Sequence, residues 1–404
     1  MIIRSRVVVP MAGEPIENGA VAVNGKRIAA VGRFEDVKAN HHGEVIDLGE
    51  MVLLPGLINA HCHLDYTILR GKIPPARSFA DWILAINNHK AALSDTDYIA
   101  SIADGLAEAR RFGTTTVLNL EAFSELLPRL PRPPLRVWWC AEMIDLRKTV
   151  DVNEVVETLR AWFHSQQDWL GGFGLAPHAP YTASPELYSE AAKIARTNHL
   201  PFTTHLAESR EEMQMFRDAS GPLFEFLKSI GRPMSEAGTP LSSLMSSAAI
   251  DEHWIIAHLN ELTESDFEFL ARGPKFQIAH CPRSHTFFGH APFAWKKLQA
   301  LGFNIAIGTD SLASNSSLSL FAEMRELMRK EPWLPARDAL AMVTVNAAAA
   351  LGQSDSLGKI GAGCHADLIG IPAVASGDDV FENIVGYEEA VPWMMVNGEV
   401  LRPS

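Results

Sequence analysis

The alternation of strand-like and helix-like segments after residue 54 most limits the folds open to this 404-residue chain. Short runs rich in apolar and β-branched residues are separated by longer amphipathic stretches, such as residues 98–112 and 185–198. This alternation predicts repeated β/α units and a parallel sheet. A first strand is predicted to end at His61. Seven further strands are predicted at residues 115–121, 136–142, 173–178, 202–207, 254–259, 276–281 and 304–309.

Eight such units predict a closed (β/α)8 barrel of the TIM type over residues 54–355. An open, doubly wound sheet is the alternative, but the first strand is not followed by the glycine-rich phosphate loop typical of that fold. Residues 1–53 and 356–404 have β character instead, with Asn-Gly turn signals at Asn18-Gly19 and Asn24-Gly25. Neither end can bury a core alone. We expect both ends to form one small β-sandwich domain, with the barrel inserted between its halves.

Histidines and one aspartate stand at the ends of the predicted barrel strands, where barrel enzymes carry their active sites. His61 and His63 are two positions apart on a strand and therefore project from the same face. Other strands end at His205, His258 and Asp310. Histidines together with a carboxylate are suitable ligands for zinc or a similar divalent ion. The sequence therefore predicts a metal site at this end of the barrel.

The run from Pro55 to His63, Pro-Gly-Leu-Ile-Asn-Ala-His-Cys-His, resembles the first-strand motif of the amidohydrolase superfamily. Residues 205, 258 and 308–310 match its later motifs in order, and 357–368 resembles its return to the small domain. The resemblance implies a metal-dependent hydrolase with His61, His63, His205 and Asp310 as metal ligands.

The same resemblance bears on the number of metal ions. Superfamily members with two metals carry a carboxylated lysine at the end of the fourth strand, where this chain has Pro177-His178. The resemblance thus implies one divalent ion, with Zn²⁺ expected first and Fe²⁺ or Mn²⁺ also compatible with these ligands.

The sequence His205-Leu206-Ala207-Glu208 is similar to the HxxE element of the nucleoside-type deaminases in this superfamily. The resemblance implies three catalytic roles. Asp310 accepts a proton from the attacking water, His258 orients that water, and Glu208 protonates the ring nitrogen beside the carbon under attack. The expected reaction releases ammonia from a cyclic amidine.

The segments 280–290, 63–71, 79–82 and 310–315 resemble a branch that includes aminodeoxyfutalosine deaminases. Their substrate is an adenine nucleoside with a carboxylated aromatic group, and its deamination belongs to a menaquinone route. Methylthioadenosine/S-adenosylhomocysteine deaminases share most of these motifs. They usually carry a glutamate for the ribose hydroxyls several residues after Phe-x-x-Trp, whereas residues 83–93 contain no acidic residue here.

Four residues are predicted to contact the substrate. His178 follows the fourth strand, and cationic or polar partners for a substrate carboxylate are available in Arg70, Arg283 and His285. Another single-metal amidohydrolase, acting on a triazine or a guanine-like ring, is an alternative enzyme. An inactive barrel that serves as a scaffold is a further alternative, although all ligand positions are filled with competent residues.

Composition excludes several partner classes. The formal net charge is −13 and no long basic run occurs, which argues against binding to nucleic acids or anionic membranes. No stretch of about 20 apolar residues is present, so no transmembrane helix is expected. Four widely separated cysteines fit a reducing compartment. We expect a cytoplasmic enzyme with a small-molecule substrate, and a homodimer is one option for its assembly.

Overall fold

The computed structural model describes residues 1–76, 78–231, 238–373 and 379–402. The strands, in chain order, are β1 (Ile2–Val8), β2 (Ile16–Asn24), β3 (Arg27–Arg33), β4 (Val45–Asp47), β5 (Met51–Pro55), β6 (Leu57–His63), β7 (Thr114–Glu121), β8 (Arg136–Met143), β9 (Leu170–Pro177), β10 (Phe202–Leu206), β11 (Trp254–His258), β12 (Gln277–His280), β13 (Asn304–Ile307), β14 (Asp310–Ser311), β15 (Leu368–Pro372), β16 (Trp393–Val396) and β17 (Glu399–Leu401).

The helices separate the barrel strands and flank the second sheet. They are α1 (Phe34–Asn40), α2 (Phe79–Lys90), α3 (Asp95–Arg111), α4 (Val152–Ser165), α5 (Pro185–Asn198), α6 (Arg210–Asp218), α7 (Pro222–Ser229), α8 (Pro240–Ser247), α9 (Glu264–Arg272), α10 (Pro282–Phe288), α11 (Trp295–Ala300), α12 (Leu320–Lys330), α13 (Ala336–Met342), α14 (Val345–Ala350) and α15 (Val380–Gly386). Two 3₁₀ helices cover Leu64–Leu69 and Ser124–Arg129.

The two ends of the chain share one hydrogen-bonded sheet, as the sequence predicts. Within the described residues its order is β17-β16-β15-β5-β1-β2-β3, and β4 pairs with β1. The antiparallel pair of β5 and β15, with Leu54 opposite Ile369, joins the first segment of the chain to the last. β5 contains the predicted domain boundary at residues 53 and 54, and the chain enters the barrel only after Gly56.

One predicted turn in this sheet is wrong. Asn18-Gly19 does not reverse the chain but lies inside β2. Asn18 has a left-handed φ of 46° within the strand, a conformation that asparagine tolerates better than most residues. A Cβ atom at Gly19 would lie 2.6 Å from Val8 Cγ2, so the glycine permits the close approach of β1. An Asn-Gly pair can thus lie within a strand and allow the close approach of its neighbour, instead of forming a turn.

The second sheet is the barrel, in which β6 to β13 follow one another as parallel neighbours. It closes because the chain after β13 returns to β6. Thr309 N donates to His61 O at 3.0 Å, and Asp310 of β14 pairs with Cys62. Gly308 fits this closure since a Cβ atom there would lie 2.6 Å from His61 Cβ. The carboxyl ends of the strands therefore meet on one face, as the predicted metal site requires.

The barrel interior is filled by a cluster of large and small apolar side chains, to which one helix beneath the barrel contributes. The interior cluster contains alanines contributed by strands and by α14. They are Ala60, Ala176, Ala279, Ala306, Ala347, Ala348 and Ala350. Because α14 packs into this cluster, the opposite face, with the histidines, remains the open end.

Candidate metal centre and active site

The closure of the barrel places the side chains of four residues close together at the carboxyl ends of the strands. These residues are His61, His63, His205 and Asp310. The Nε2 atoms of His63 and His205 are 3.1 Å apart. Asp310 Oδ1 lies 3.9 Å from Nε2 of both His61 and His63. The ring of His258 lies beside them, with its centroid 5.4 Å from that of His61. We call these five residues the floor of the site.

Hydrogen bonds outside the floor orient its ligand atoms. His205 Nδ1 donates to the carbonyl oxygen of His178 at 2.8 Å, which leaves the lone pair on Nε2 directed towards the floor. Asp310 Oδ2 accepts from the hydroxyls of Ser284 and Ser314 at 2.6 and 2.9 Å. Its other oxygen, Oδ1, is thereby turned towards the histidines.

The backbone that carries the floor is strained. Ala207, His258, Leu259 and Asp310 have φ values of 51°, 74°, 53° and 56°, in the left-handed region that non-glycine residues rarely adopt. Backbone bonds hold two of these segments together, since Leu259 N donates to Leu206 O at 2.9 Å. Strain of this kind persists where the surrounding structure fixes it and is concentrated at functional sites.

The chemistry of the floor fits a divalent ion. Both ring nitrogens of His61 and the Nε2 of His258 are buried and find no hydrogen-bond partner among the described residues. Burial lowers the pKa of His61 to about 3 and that of His205 to about 4, so these imidazoles are neutral and offer lone pairs. Two nitrogens bound tetrahedrally to one zinc at about 2.1 Å would be roughly 3.4 Å apart, close to the 3.1 Å between His63 and His205.

Glu208 stands beside the floor as a buried acid. Its backbone is fixed because Glu208 N donates to Glu212 Oε2 at 2.7 Å and Asn260 Nδ2 donates to Glu208 O at 3.0 Å. Its Oε1 lies 3.7 Å from His258 Nε2. Burial raises the pKa of Glu208 well above its usual value, and the charges of Asp310 and Glu212 add to this effect. The side chain therefore holds a proton where an ordinary glutamate has lost it.

The floor opens into a cavity of about 560 Å³. His178, a predicted substrate contact, lines it, and its Nδ1 is 2.6 Å from Thr182 Oγ1. Apolar side chains of α2 and α7 form two further sides of the cavity. These side chains are Phe79, Trp82, Ile83 and Ile86 of α2, and Leu223, Phe226 and Leu227 of α7.

Several polar cavity residues were missed by sequence reasoning. Glu142 is the next-to-last residue of β8, so the strand-end rule that selected the histidines could have found it. Tyr66 stacks on His63, and Lys90 donates to Tyr66 Oη at 2.7 Å. Arg147 and Lys148 lie in the loop after β8 and line the same cavity. No periodicity or motif marks these last two residues.

Three predicted substrate contacts lie outside this cavity. Arg70 forms an ion pair with Glu108, and Arg283 donates to Ser317 Oγ at 2.9 Å. Both arginines line a separate, open depression, together with residues 312–316. His285 is buried in α10, its ring 5.3 Å from that of His280. The structure does not bring these three side chains to the floor, because the contacts just described hold them elsewhere.

The sequence of residues 52–387 matches the amidohydrolase family. The chain belongs to that family and is a hydrolase. A curated relative, the 5-methylthioadenosine/S-adenosylhomocysteine deaminase of Moorella thermoacetica, is 31% identical over 424 aligned positions, which cover 99% of this chain and 94% of the relative.

Two solved structures share the fold. Helicobacter pylori aminofutalosine deaminase in complex with methylthio-coformycin has a TM-score of 0.85 and 21% identity, with 99% of each chain covered. The atrazine chlorohydrolase TrzN of Arthrobacter aurescens TC1, complexed with zinc, has a TM-score of 0.81 and 21% identity, with 99% of this chain and 95% of that chain covered. At this identity the two structures support the barrel fold alone. In the described part of the chain, no helix is long and apolar enough to cross a membrane.

Proposed function

We propose that this protein is a hydrolytic deaminase of adenine nucleosides and that its preferred substrate is aminodeoxyfutalosine. His61, His63, His205 and Asp310 would hold one divalent ion, for which zinc is expected. The relative from Moorella thermoacetica, which is named as a nucleoside deaminase, supports the reaction class. Two overlapping groups of buried donor atoms support the metal site, because the atoms within each group lie within 4.8 Å of one another. These groups are His61 with His63 and Asp310, and His61 with His205 and His258.

The residues around the floor suit each proton transfer of the reaction. A bound divalent ion would make a water molecule more acidic and so a better nucleophile at neutral pH. The carboxylate of Asp310 accepts the first proton of that water, and His258 holds the water in line with the ring carbon. Glu208, kept protonated by burial, gives its proton to the neighbouring ring nitrogen. A C–O bond forms at the ring carbon and the C–N bond breaks. The first proton of the water passes from Asp310 to the departing amine, which leaves as ammonia. The remaining hydroxyl proton returns to Glu208 as the product carbonyl forms.

The distribution of charge in the cavity is the observation that favours an anionic substrate tail. The acidic side chains of the lining are Glu142, Glu208 and Asp310, which all stand at or just after the ends of barrel strands. Of the cationic ones, Arg147 and Lys148 are exposed in the loop after β8. Lys90 ends α2 and contacts Tyr66, which stacks on His63. The cavity is therefore acidic near the floor and carries two exposed cations, Arg147 and Lys148, at its rim.

A nucleoside with a carboxylated aromatic tail matches this arrangement. Its ring can pack on the apolar side chains of α2 and α7, and its carboxylate can reach Arg147 or Lys148. S-adenosylhomocysteine carries an ammonium group as well as a carboxylate, and the basic rim would repel the ammonium. Methylthioadenosine carries no charge and would leave the rim unused.

Methylthioadenosine/S-adenosylhomocysteine deamination is the second candidate, because it is the activity named for the relative from Moorella thermoacetica. Triazines and guanine-like bases are weaker candidates, since they lack a tail that would fill the space between α2 and α7.

Ammonia release by the purified, zinc-loaded protein tests the proposal. Aminodeoxyfutalosine, methylthioadenosine, S-adenosylhomocysteine, adenosine and guanine are compared by kcat/KM. A preference for aminodeoxyfutalosine is expected and would connect the reaction with menaquinone synthesis. A preference for the sulfur nucleosides would keep the mechanism and reject the proposed substrate. No turnover of any purine by protein with a full complement of metal would refute the deaminase proposal.

A further inference from the structure

Helix α2, which forms one side of the cavity, is attached at its first turn by the side chain of Glu211. Glu211 Oε1 accepts from Phe79 N at 2.8 Å, and Oε2 accepts from Ala80 N at 3.0 Å. Ser78 Oγ accepts from Asp81 N at 3.0 Å. The amides at a helix start have no partners within the helix. Here a carboxylate from a distant part of the chain takes two of them.

The first turn of α6, which carries Glu211, also fixes the backbone of Glu208. Ser209 caps α6, and the next two carboxylates point in opposite directions. Glu212 accepts from Ala207 N at 3.1 Å and from Glu208 N at 2.7 Å, whereas Glu211 reaches outward to α2. The start of α6 therefore lies between the proposed general acid and the α2 side of the cavity, with a short carboxylate contact to each.

Other contacts attach α2 to parts of the chain outside α6. Phe79 and Trp82 of α2 both pack against Phe288 of α10, with ring centroids 5.5 and 4.9 Å away. Trp82 Nε1 donates to Ala313 O at 3.4 Å, a long hydrogen bond. Lys90 contacts Tyr66 at the other end of the helix. These contacts would keep α2 folded and near the barrel after loss of the Glu211 carboxylate.

We infer that Glu211 is a positioning residue, which sets the α2 side of the cavity relative to Glu208 and thereby the affinity for the nucleoside. This inference rests on the proposed function for its kinetic consequence. Its structural part is independent of any substrate. A carboxylate at a helix start is stabilised both by charge-assisted hydrogen bonds and by the helix dipole. Glu211 itself touches neither the floor nor the cavity surface in the structure.

Hydrogen exchange tests the structural part. In Glu211→Ala, the amides of Phe79 and Ala80 are expected to exchange on the order of tenfold faster, the size of effect that loss of a helix cap produces. Glu211→Gln retains one acceptor oxygen and should give an intermediate change. Glu186→Ala removes an exposed first-turn carboxylate from α5 and serves as the control, in which exchange of α2 is unchanged.

Steady-state kinetics and metal analysis test the functional part. Glu211→Ala should raise KM for the nucleoside on the order of tenfold, with kcat within about twofold and the metal content unchanged. A purely structural role would lower the amount of active enzyme and leave KM unaltered. A fall in kcat at constant KM would show that Glu211 acts on Glu208 instead, and would overturn the inference.

The two arms separate this inference from the proposed function. If the wild-type protein deaminates nucleosides and the exchange of α2 and KM are both unchanged in Glu211→Ala, the positioning role is wrong. If the wild-type protein deaminates no nucleoside, the proposed function is wrong. The exchange of Phe79 and Ala80 then still decides whether Glu211 fixes α2.

Discussion

The floor of the site and the sides of its cavity are built in different ways. The floor residues stand on or beside barrel strands, and each is oriented by neighbours, as Asp310 is by two serine hydroxyls. The sides come from α2, α7 and the loop 144–151, which lie outside the strand order of the barrel. We infer that the floor determines which bond is broken, whereas the sides determine which molecule is held over it.

Substitution of a floor histidine should have the largest effect. His61→Asn removes an imidazole whose side chain is fully buried, and we expect loss of bound metal together with a roughly 10³-fold or greater loss of turnover, because the water is no longer acidified. Metal content by elemental analysis and ammonia release measure both. His253→Asn replaces an exposed histidine and should change neither. Full metal content and full turnover in His61→Asn would remove this residue from the floor's chemistry.

Glu208→Gln separates the proton transfer from metal binding. The amide preserves the shape of the side chain but has no acidic proton to give. We expect normal metal content and a fall in kcat of about 10²- to 10⁴-fold. Glu186→Gln, an exposed acid of α5, is the matched control. Near-normal turnover by Glu208→Gln would mean that another group protonates the ring.

The floor could be predicted from sequence because its signals are local. His61-x-His63 places two side chains on one strand face, and the barrel rule places strand ends together. The sequence motifs likewise predicted the barrel fold and membership of the amidohydrolase family. Glu142 was missed although the same rule applies to the end of β8.

The sides could not be predicted in this way. Arg147 and Lys148 reach the cavity only because the loop after β8 folds over it, and a loop has no periodicity that reveals its direction. Arg70 and Arg283 lay in motifs that pointed to the substrate, yet ion pairing with Glu108 and hydrogen bonds to serines hold them elsewhere. The direction and the partners of a charged side chain near a motif must therefore be known before a ligand can be assigned to it.

Replacement of the rim cations should change selectivity more than rate. In the double variant Arg147→Ala/Lys148→Ala, we expect kcat/KM for aminodeoxyfutalosine to fall by about 10- to 100-fold, the range for one or two lost charge-assisted contacts. The value for methylthioadenosine should stay within about twofold, because that substrate has no charge for the rim to bind. Lys193→Ala, on the exposed side of α5, is the control. An equal loss of kcat/KM for both nucleosides would show that Arg147 and Lys148 do not bind the carboxylate of the substrate tail.

Glu323 connects the segment beside Asp310 to the stability of the fold. Its substitution should have the smallest effect of those considered, a change in how the thermal midpoint depends on pH. Its buried carboxylate accepts from Arg283 N at 2.9 Å and from Asn315 Nδ2 at 2.6 Å, and Asn315 Nδ2 also donates to Thr309 O, next to Asp310. Burial raises the pKa of Glu323 to about 8. The folded protein therefore retains a proton that the unfolded chain releases above its ordinary pKa of 4.5.

The contribution of this proton to stability is complete below pH 4.5 and is lost as the pH rises through about 8. We expect the thermal midpoint to fall between pH 7 and pH 9, and to fall less in Glu323→Gln, by about 2 °C or more. The glutamine cannot ionise, and its carbonyl oxygen can still accept a hydrogen bond. Burial also raises the pKa of Glu212, to about 7, so the variant should reduce the slope without abolishing it. Identical slopes for the two proteins would show that Glu323 is already ionised in the fold, and the segment beneath Asp310 would then be insensitive to pH.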